Sequence, residues 1–221
     1  ARESGSLPSA DEIIAKMINA LGGEASLRAH SHRALRGTAE MIGLPLEGEF
    51  MQKASAPDKS LIAMQLGDLL VRQGFGGEAA WSDSPMSGRQ ILKGSAAEAM
   101  KLQAQFYGPL EMRKAYREIV PLGFATWDGK ECIELKLTSA SGATSHMYVD
   151  AATFLNAGTK ANMPTPIGEV EMRTYLRHYR GFEGFLTATE IYVDSSVQRQ
   201  LIRIDAVSFE PIAAAEYAPP L

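Results

Sequence analysis

The sequence predicts a mainly β (α+β) fold built on one large, curved antiparallel sheet with a few helices. Short segments of alternating apolar and polar residues recur along the chain, with Gly, Asp, Ser or Pro between them. The βαβ order of a parallel sheet does not occur. About twelve strands are predicted, and a flat sheet of that size is uncommon, so we expect the sheet to curl or close.

An amphipathic helix opens the chain, and a run of strands follows. Ser9 and Glu12 match a capping box, and apolar residues then recur on one helical face until Gly22-Gly23. From His32 the period changes to two, which predicts a β-hairpin. The hairpin strands are expected at residues 35–41 and 46–50, joined by a turn at 43–45, and further strands at 59–66, 68–75 and 78–83.

A helical insertion over residues 94–119 is expected to interrupt the sheet. Ser95 and Glu98 suggest a second capping box, and helices are predicted at residues 97–105 and 110–119, on either side of Gly108-Pro109. The later strands are predicted at residues 124–127, 131–138, 144–149, 154–161, 169–180, 185–193 and 198–208. We expect residues 1–221 to form a single domain.

Composition excludes several classes of partner. Hydrophobic residues make up 45% of the chain and charged residues 22%, as in ordinary globular proteins. The net charge of -4 and the lack of Lys/Arg-rich runs argue against nucleic acid. The sequence contains no run of 18 apolar residues, so no transmembrane helix is predicted. Because the chain starts at Ala1 with small and polar residues, we expect an exported protein, periplasmic or otherwise, that has lost its targeting segment. We expect a monomer.

Several strands carry apolar residues at adjacent positions, so both of their faces avoid water. This holds for residues 61–71 and 201–204. Helices packed into the concave face would cover one side and leave a ligand pocket, whereas a fully packed core is the alternative. Ten Met residues favour a pocket. The candidate pocket residues are Leu35, Met41, Phe50, Met64, Leu69, Val71, Trp81, Met100, Phe106, Leu110, Met112, Met147, Met172, Leu176 and Ile191.

No signature of metal or nucleophilic chemistry is present. The four histidines have no carboxylate or Cys at a spacing typical of a metal site, and neither a nucleophile elbow nor a phosphate-binding loop occurs. No cofactor or catalytic residue is therefore predicted. Cys132 is interpreted as a buried structural thiol. The alternating strand at 169–180 is expected to turn Val170, Met172, Thr174, Leu176 and His178 toward the pocket.

Three patches resemble the LolA/LolB-like superfamily of periplasmic lipoprotein and lipid carriers. The opening helix followed by Leu35-Arg36-Gly37-Thr38 resembles the start of that family. The stretch GGEAAWSDSP at residues 76–85 resembles its turn-strand signature, and AVSFEP at 206–211 resembles its closing strand. The resemblance implies an incomplete β-barrel of about eleven strands, whose concave face is covered by helices around an acyl-chain cavity. Together with the estimate from the residues, the expected number of strands is about 11–12.

Two features depart from that family. The family places an Arg before the Pro that opens its third strand, whereas Ala56 precedes Pro57 here, and the helical insertion is long. The predicted function is a carrier for a hydrophobic or lipid ligand, exchanged with a membrane-protein donor or acceptor. One alternative is an enzyme on the same scaffold with a polar cluster in the cavity such as Tyr175, His178 or Glu190. Another is an accessory protein-interaction domain. Trp81 and Trp127 fit either ligand stacking or core packing.

Overall fold

The computed structural model describes residues 7–165 and 168–219, and this part of the chain forms a 13-stranded antiparallel sheet. The strands fall into two meanders that meet where the first strand pairs with the last. The first meander contains β1 (His32–Met41), β2 (Leu46–Ser55), β3 (Lys59–Leu66), β4 (Leu69–Phe75), β5 (Ala80–Ser84) and β6 (Gly88–Ile91). The second contains β7 (Tyr116–Trp127), β8 (Lys130–Ser139), β9 (Thr144–Asp150), β10 (Asn156–Thr165), β11 (Gly168–Phe182), β12 (Phe185–Ser195) and β13 (Arg199–Ser208).

Helices lie before, between and after the two meanders. They are α1 (Ala10–Ala20), α2 (Gly23–Arg28), α3 (Gly94–Gln103), α4 (Met112–Ala115) and the 3₁₀ helices Gly108–Glu111 and Ala214–Tyr217. We call residues 94–115 the lid segment, because it connects β6 to β7, the two open edges of the sheet. No helix within the described residues is long and apolar enough to cross a membrane. The predicted fold class is confirmed: the sheet is curved, antiparallel and not closed, as in an incomplete barrel.

The predicted start of the chain's first helix is confirmed in detail. The Ser9 hydroxyl accepts a hydrogen bond from the Glu12 backbone N–H at 3.3 Å, and the Glu12 carboxylate accepts one from the Ser9 N–H at 2.8 Å. These bonds satisfy two of the donors that a helix N-terminus leaves free. The Ser9 N–H bond and a further bond from the Ser9 hydroxyl to the Glu12 carboxylate lower the pKa of Glu12. The predicted hairpin and the strand over 59–66 are confirmed as well.

The predictions for the helical insertion over residues 94–119 are wrong in two places. Residues 116–119 are not helical, since α4 ends at Ala115 and β7 begins at Tyr116. Pro121 cannot sit inside a helix, and it is tolerated here because β7 is an edge strand. The second capping box is absent: Lys93 caps α3 without a side-chain bond, and the Glu98 carboxylate instead accepts from the Ser141 backbone N–H at 3.1 Å.

Two apolar clusters occupy the concave face. In the first, α1 and α4 pack on β7, β8 and β9 through residues including Ile13, Met112 and Leu135. In the second, side chains of β1, β2, β3 and β13 meet one another, among them Phe50 and Ile202. Full burial of one such side chain stabilises the fold by about 1.5–3 kcal/mol. The space between the two clusters is where the concave face is not filled.

Candidate functional site

A cavity of about 430 Å³ lies between the concave face of the sheet and the helices. Its walls come from α1, α2, the lid segment, and strands β1, β2, β7, β9, β10, β11 and β12. The volume falls in the range of about 300–1,000 Å³ that is typical of small-molecule sites. The apolar side chains that line it include Met17, Leu21, Leu27, Leu35, Leu102, Phe106, Met112, Met147, Phe154, Leu176, Phe185 and Ile191.

The lid segment is tied to three places around the cavity. The Phe106 backbone N–H donates to the Pro57 carbonyl at 3.0 Å, which fixes the segment over the β2–β3 turn. At α4, Arg113 donates through Nε to Asp11 of α1 at 2.7 Å. Near its start, the Glu98 bond to the β8–β9 turn holds α3, and hydrogen bonding by Ser141, chiefly through its side chain, lowers the pKa of Glu98. The lid therefore rests on both meanders and on the first helix.

Arg33 is the charged side chain of the cavity wall. Among the described residues that line the cavity, no other is Asp, Glu, Lys, Arg or His. Its guanidinium carbon lies 4.7 Å from the ring centre of Phe106 and 4.5 Å from that of Phe185. Desolvation by these neighbours lowers the pKa of Arg33 to about 10. The group is therefore still protonated at neutral pH.

A local irregularity in β11 changes which residues face the cavity. His178 has a positive φ of 54°, and its neighbours Arg177 and Tyr179 pair with Glu190 and Ala188. The alternation shifts at this irregularity without a change of register, so Tyr179 joins Leu176 in the cavity wall, whereas His178 is exposed and does not line this cavity. The Tyr179 hydroxyl donates to the Asn156 carbonyl at 2.8 Å. Burial raises the pKa of Tyr179.

The candidate pocket residues separate into two groups. Those that line the cavity are Leu35, Phe106, Met112, Met147, Leu176 and Ile191. Met41, Phe50, Met64 and Leu69 belong instead to the packed cluster on β1–β4 and β13, and Met100 packs on β4 and β5. Val71 pairs with Met64 in the neighbouring strand, and Leu110 and Met172 are partly buried away from the cavity wall. Packing of the sheet on itself fills the space that the sequence assigned to a ligand.

Both tryptophans have core positions on the convex face. Trp81 is 1% exposed, and its Nε1 donates to the carbonyl of Tyr217, whose segment covers that part of the sheet. Trp127 is 6% exposed and stacks on Tyr148 at 3.9 Å and on Tyr175 at 4.8 Å between ring centres. Core packing is the alternative that the structure supports for both.

The residues named for an enzyme do not meet in the cavity. Tyr175 stacks on Trp127 on the convex face, Glu190 accepts from Arg177 on that same face at 3.2 Å, and His178 is exposed. Searching the described residues finds no group of three or more His, Cys, Asp or Glu side chains arranged to hold a metal ion. Cys132 is a fully buried free thiol, as predicted, and burial raises its pKa to about 11.

Sequence reasoning missed the polar part of the cavity. Arg33, Gln52, Gln103, Gln105 and Asn156 all line it. Arg33 could have been noticed, because it shares the inward parity of Leu35 in an alternating strand. Gln52 offered the same signal, because it shares the parity of Phe50 and pairs with Leu35. Gln103 and Gln105 carried no such signal, since they come from the lid segment, whose orientation depends on contacts with Pro57 and Asp11.

The fold was compared with known proteins. No protein-family model matches the sequence, and no curated protein does. Among solved structures, a DUF1329 family protein from Desulfovibrio piger matches with 12% sequence identity and a TM-score of 0.63, over 94% of this chain and 96% of that one. A LolA superfamily protein from Nitrosomonas europaea matches with 12% identity and a TM-score of 0.58, over 96% and 98%.

A third similar structure is an outer membrane lipoprotein-sorting protein domain from Vibrio parahaemolyticus, with 9% identity and a TM-score of 0.56 over 90% of this chain and 91% of that one. At these identities the likeness concerns the fold and not the activity. The resemblance seen in the sequence is therefore confirmed at the level of architecture: the chain has the fold of the LolA superfamily structure.

Proposed function

We propose that this protein is a periplasmic binding or carrier protein that holds one hydrophobic ligand, such as a lipid or acyl chain, in the cavity under the lid segment. The observation that carries the proposal is the cavity of about 430 Å³ with a mainly apolar wall. Burial of ligand surface against that wall would contribute about 25 cal/mol per Å² of apolar area. A solved structure of the same fold is described as a lipoprotein-sorting domain, which supports a carrier over an enzyme.

The lid segment gives the proposal a route for the ligand. Gly108 has a positive φ of 54° and precedes Pro109, so the segment bends there between α3 and α4. Leu102, Phe106 and Met112 of the lid all face the cavity. Movement at the bend would open the cavity, and a bound ligand would favour the closed state because it contacts both the lid and the sheet. We propose that the chain acts as a monomeric domain and exchanges ligand with a membrane protein.

The first test is to identify what the purified protein carries. Native mass spectrometry and solvent extraction should find a hydrophobic molecule in stoichiometric amount when the protein is prepared from its own host. Hydrogen exchange across residues 95–119 should slow when a fatty acid or phospholipid is added, since the ligand stabilises the state that binds it. Unchanged exchange with every lipid tried, in a well-folded protein, contradicts the carrier proposal.

A second test blocks the cavity. Ala188 is buried in the β12 wall of the cavity, so Ala188→Phe should fill part of the space and reduce binding of a neutral fluorescent naphthylamine probe at least about tenfold. Ala63→Phe is the matched control, because Ala63 is a partly buried strand residue that lines a groove on the convex face. Equal binding by both variants would place the ligand outside the cavity.

A further inference from the structure

We propose that Arg33 binds the anionic head group, a carboxylate or a phosphate, of a single-chain amphiphile whose apolar tail occupies the cavity. This inference rests on the proposed function and adds the chemistry of the ligand's head. The structure thus points to a fatty-acid-like molecule and away from a neutral lipid.

The first argument is that Arg33 has no partner of opposite charge. The described residues give it neither an ion pair within 4.0 Å nor a side-chain hydrogen bond. Other partly buried arginines of this chain do have carboxylate partners: Arg72 donates to Asp83 at 2.6 Å, and Arg177 donates to Asp128 at 2.7 Å. A charge that is withdrawn from water is normally paired. The N–H donors of the Arg33 guanidinium are therefore available to an acceptor in the cavity.

The second argument is the placement of the guanidinium of Arg33, which lies over two aromatic rings, that of Phe106 from the lid and that of Phe185 from β12. These cation–π contacts position the group without using its N–H donors in a hydrogen bond to a carboxylate, so the donors stay available. A guanidinium edge binds carboxylate or phosphate through two parallel hydrogen bonds. Because Phe106 belongs to the lid, an anion at Arg33 would also couple head-group binding to lid closure.

The third argument concerns the size and charge of the site. A cavity of about 430 Å³ lies near the small end of the usual range for ligand sites, which favours one acyl chain over two. The protein has a net charge of -4, so it does not attract anions in general. Recognition of an anionic head must then come from a local cation, and Arg33 is the one that the described cavity wall provides.

The experiment compares palmitate with hexadecanol, which has the same chain and a neutral head, by displacement of the neutral naphthylamine probe. Wild-type protein should bind palmitate about 10- to 100-fold more tightly, as expected for hydrogen bonds to a charged group. Arg33→Met keeps an unbranched apolar side chain over the two rings and should abolish this preference while leaving hexadecanol binding unchanged. Arg33→Lys, which retains charge without the planar fork, should keep part of it.

Arg36→Met is the matched control, since Arg36 is an exposed residue of the same strand that lines a groove on the convex face, and it should behave as wild type. Lysophosphatidic acid distinguishes a phosphate head from a carboxylate head. Acetate or inorganic phosphate alone should bind at least about 100-fold more weakly than palmitate, because these ions bury no acyl chain. Equal wild-type affinity for palmitate and hexadecanol overturns the inference but leaves the carrier proposal intact. Failure of both ligands to bind overturns the carrier proposal as well.

Discussion

Two arginines of this protein pack against aromatic rings on opposite faces of the sheet, and they differ in their partners. Arg177, on the convex face, lies over Tyr175 and Tyr192 and donates to both oxygens of Asp128 and to Glu190. These hydrogen bonds raise the pKa of Arg177. Arg33, in the cavity, lies over two rings and has no carboxylate partner, and desolvation lowers its pKa to about 10.

The difference lies in how the charge of each arginine is balanced. On the convex face, Gly158 lies in register between Tyr148 and Tyr175, and the Trp127 indole occupies the space that a side chain at position 158 would take. We call Trp127, Tyr148, Tyr175 and Tyr192 the convex stack. Neighbouring carboxylates pair the charge of Arg177, although the buried Trp127 Nε1 has no hydrogen-bond partner among the described residues. The cavity instead has an unpaired cation beside unfilled volume, and it is the place where we propose that a ligand binds.

The largest predicted effect comes from disturbing the convex stack at Gly158. A Cβ added there would overlap the Trp127 indole nitrogen and the Thr174 carbonyl oxygen, and neither can move without breaking the stack or the β10–β11 ladder. Gly158→Ala should lower the free energy of unfolding by at least about 3 kcal/mol in urea titrations. Gly181→Ala is the control, because no atom lies within 4 Å of its added Cβ. Similar losses of unfolding free energy in both variants would show that overlap with the Trp127 indole and the Thr174 carbonyl is not the cause.

A smaller effect is expected when Arg177 is removed. Arg177→Met leaves the carboxylates of Asp128 and Glu190, which are 24% and 21% exposed, without their cation. The loss should be about 1–2 kcal/mol, reduced by the remaining solvent contact. Arg173→Met removes an ion pair with Glu171 in which both side chains are nearly half exposed, and it should cost no more than about 0.5 kcal/mol. Equal stability of Arg177→Met and wild type would contradict the role given to these contacts.

Arg33→Met should change the free energy of unfolding of the ligand-free protein in the opposite direction. Because the cation has no partner to lose, replacing it with an apolar side chain removes a desolvation cost and sacrifices only the two ring contacts. We expect between no change and about 1 kcal/mol of stabilisation, measured in the same urea titrations after lipid has been extracted. A loss of more than about 1 kcal/mol would indicate a partner for Arg33 and would remove the contrast with Arg177.

The smallest effect concerns Cys132, which packs beneath the convex stack with Trp127 and Tyr148. It is fully buried, and the rise of its pKa to about 11 leaves little thiolate at pH 8. A disulfide reagent should therefore modify native Cys132 at least about 100-fold more slowly than a cysteine introduced into the cavity wall by Leu176→Cys. The second protein also carries Cys132→Ser, which should cost about 1 kcal/mol or less. Fast modification of native Cys132 would mean that the convex stack opens.

Local sequence signals were sufficient for most of the fold. The capping box at Ser9, the turn at residues 43–45 and the strand over 59–66 are specified by neighbouring residues, and each was predicted correctly. Prediction failed where no local signal exists. Every residue of β6 is exposed, so the strand has no apolar alternation, and its pairing with β5 alone defines it. Residues 116–119 became strand because β8 supplies their hydrogen bonds.

The sequence by itself determined the class of the fold and, for strands with regular alternation, the side that avoids water, because period and turn residues act over short distances. Tertiary structure decided which apolar residues pack on one another and which enclose empty volume. Phe50 and Leu35 both point to the concave face, yet only Leu35 reaches the cavity. Arg33 likewise gained its significance from Phe106 and Phe185, which are distant along the chain. Whether a charge is paired depends on neighbours that only the folded chain brings together.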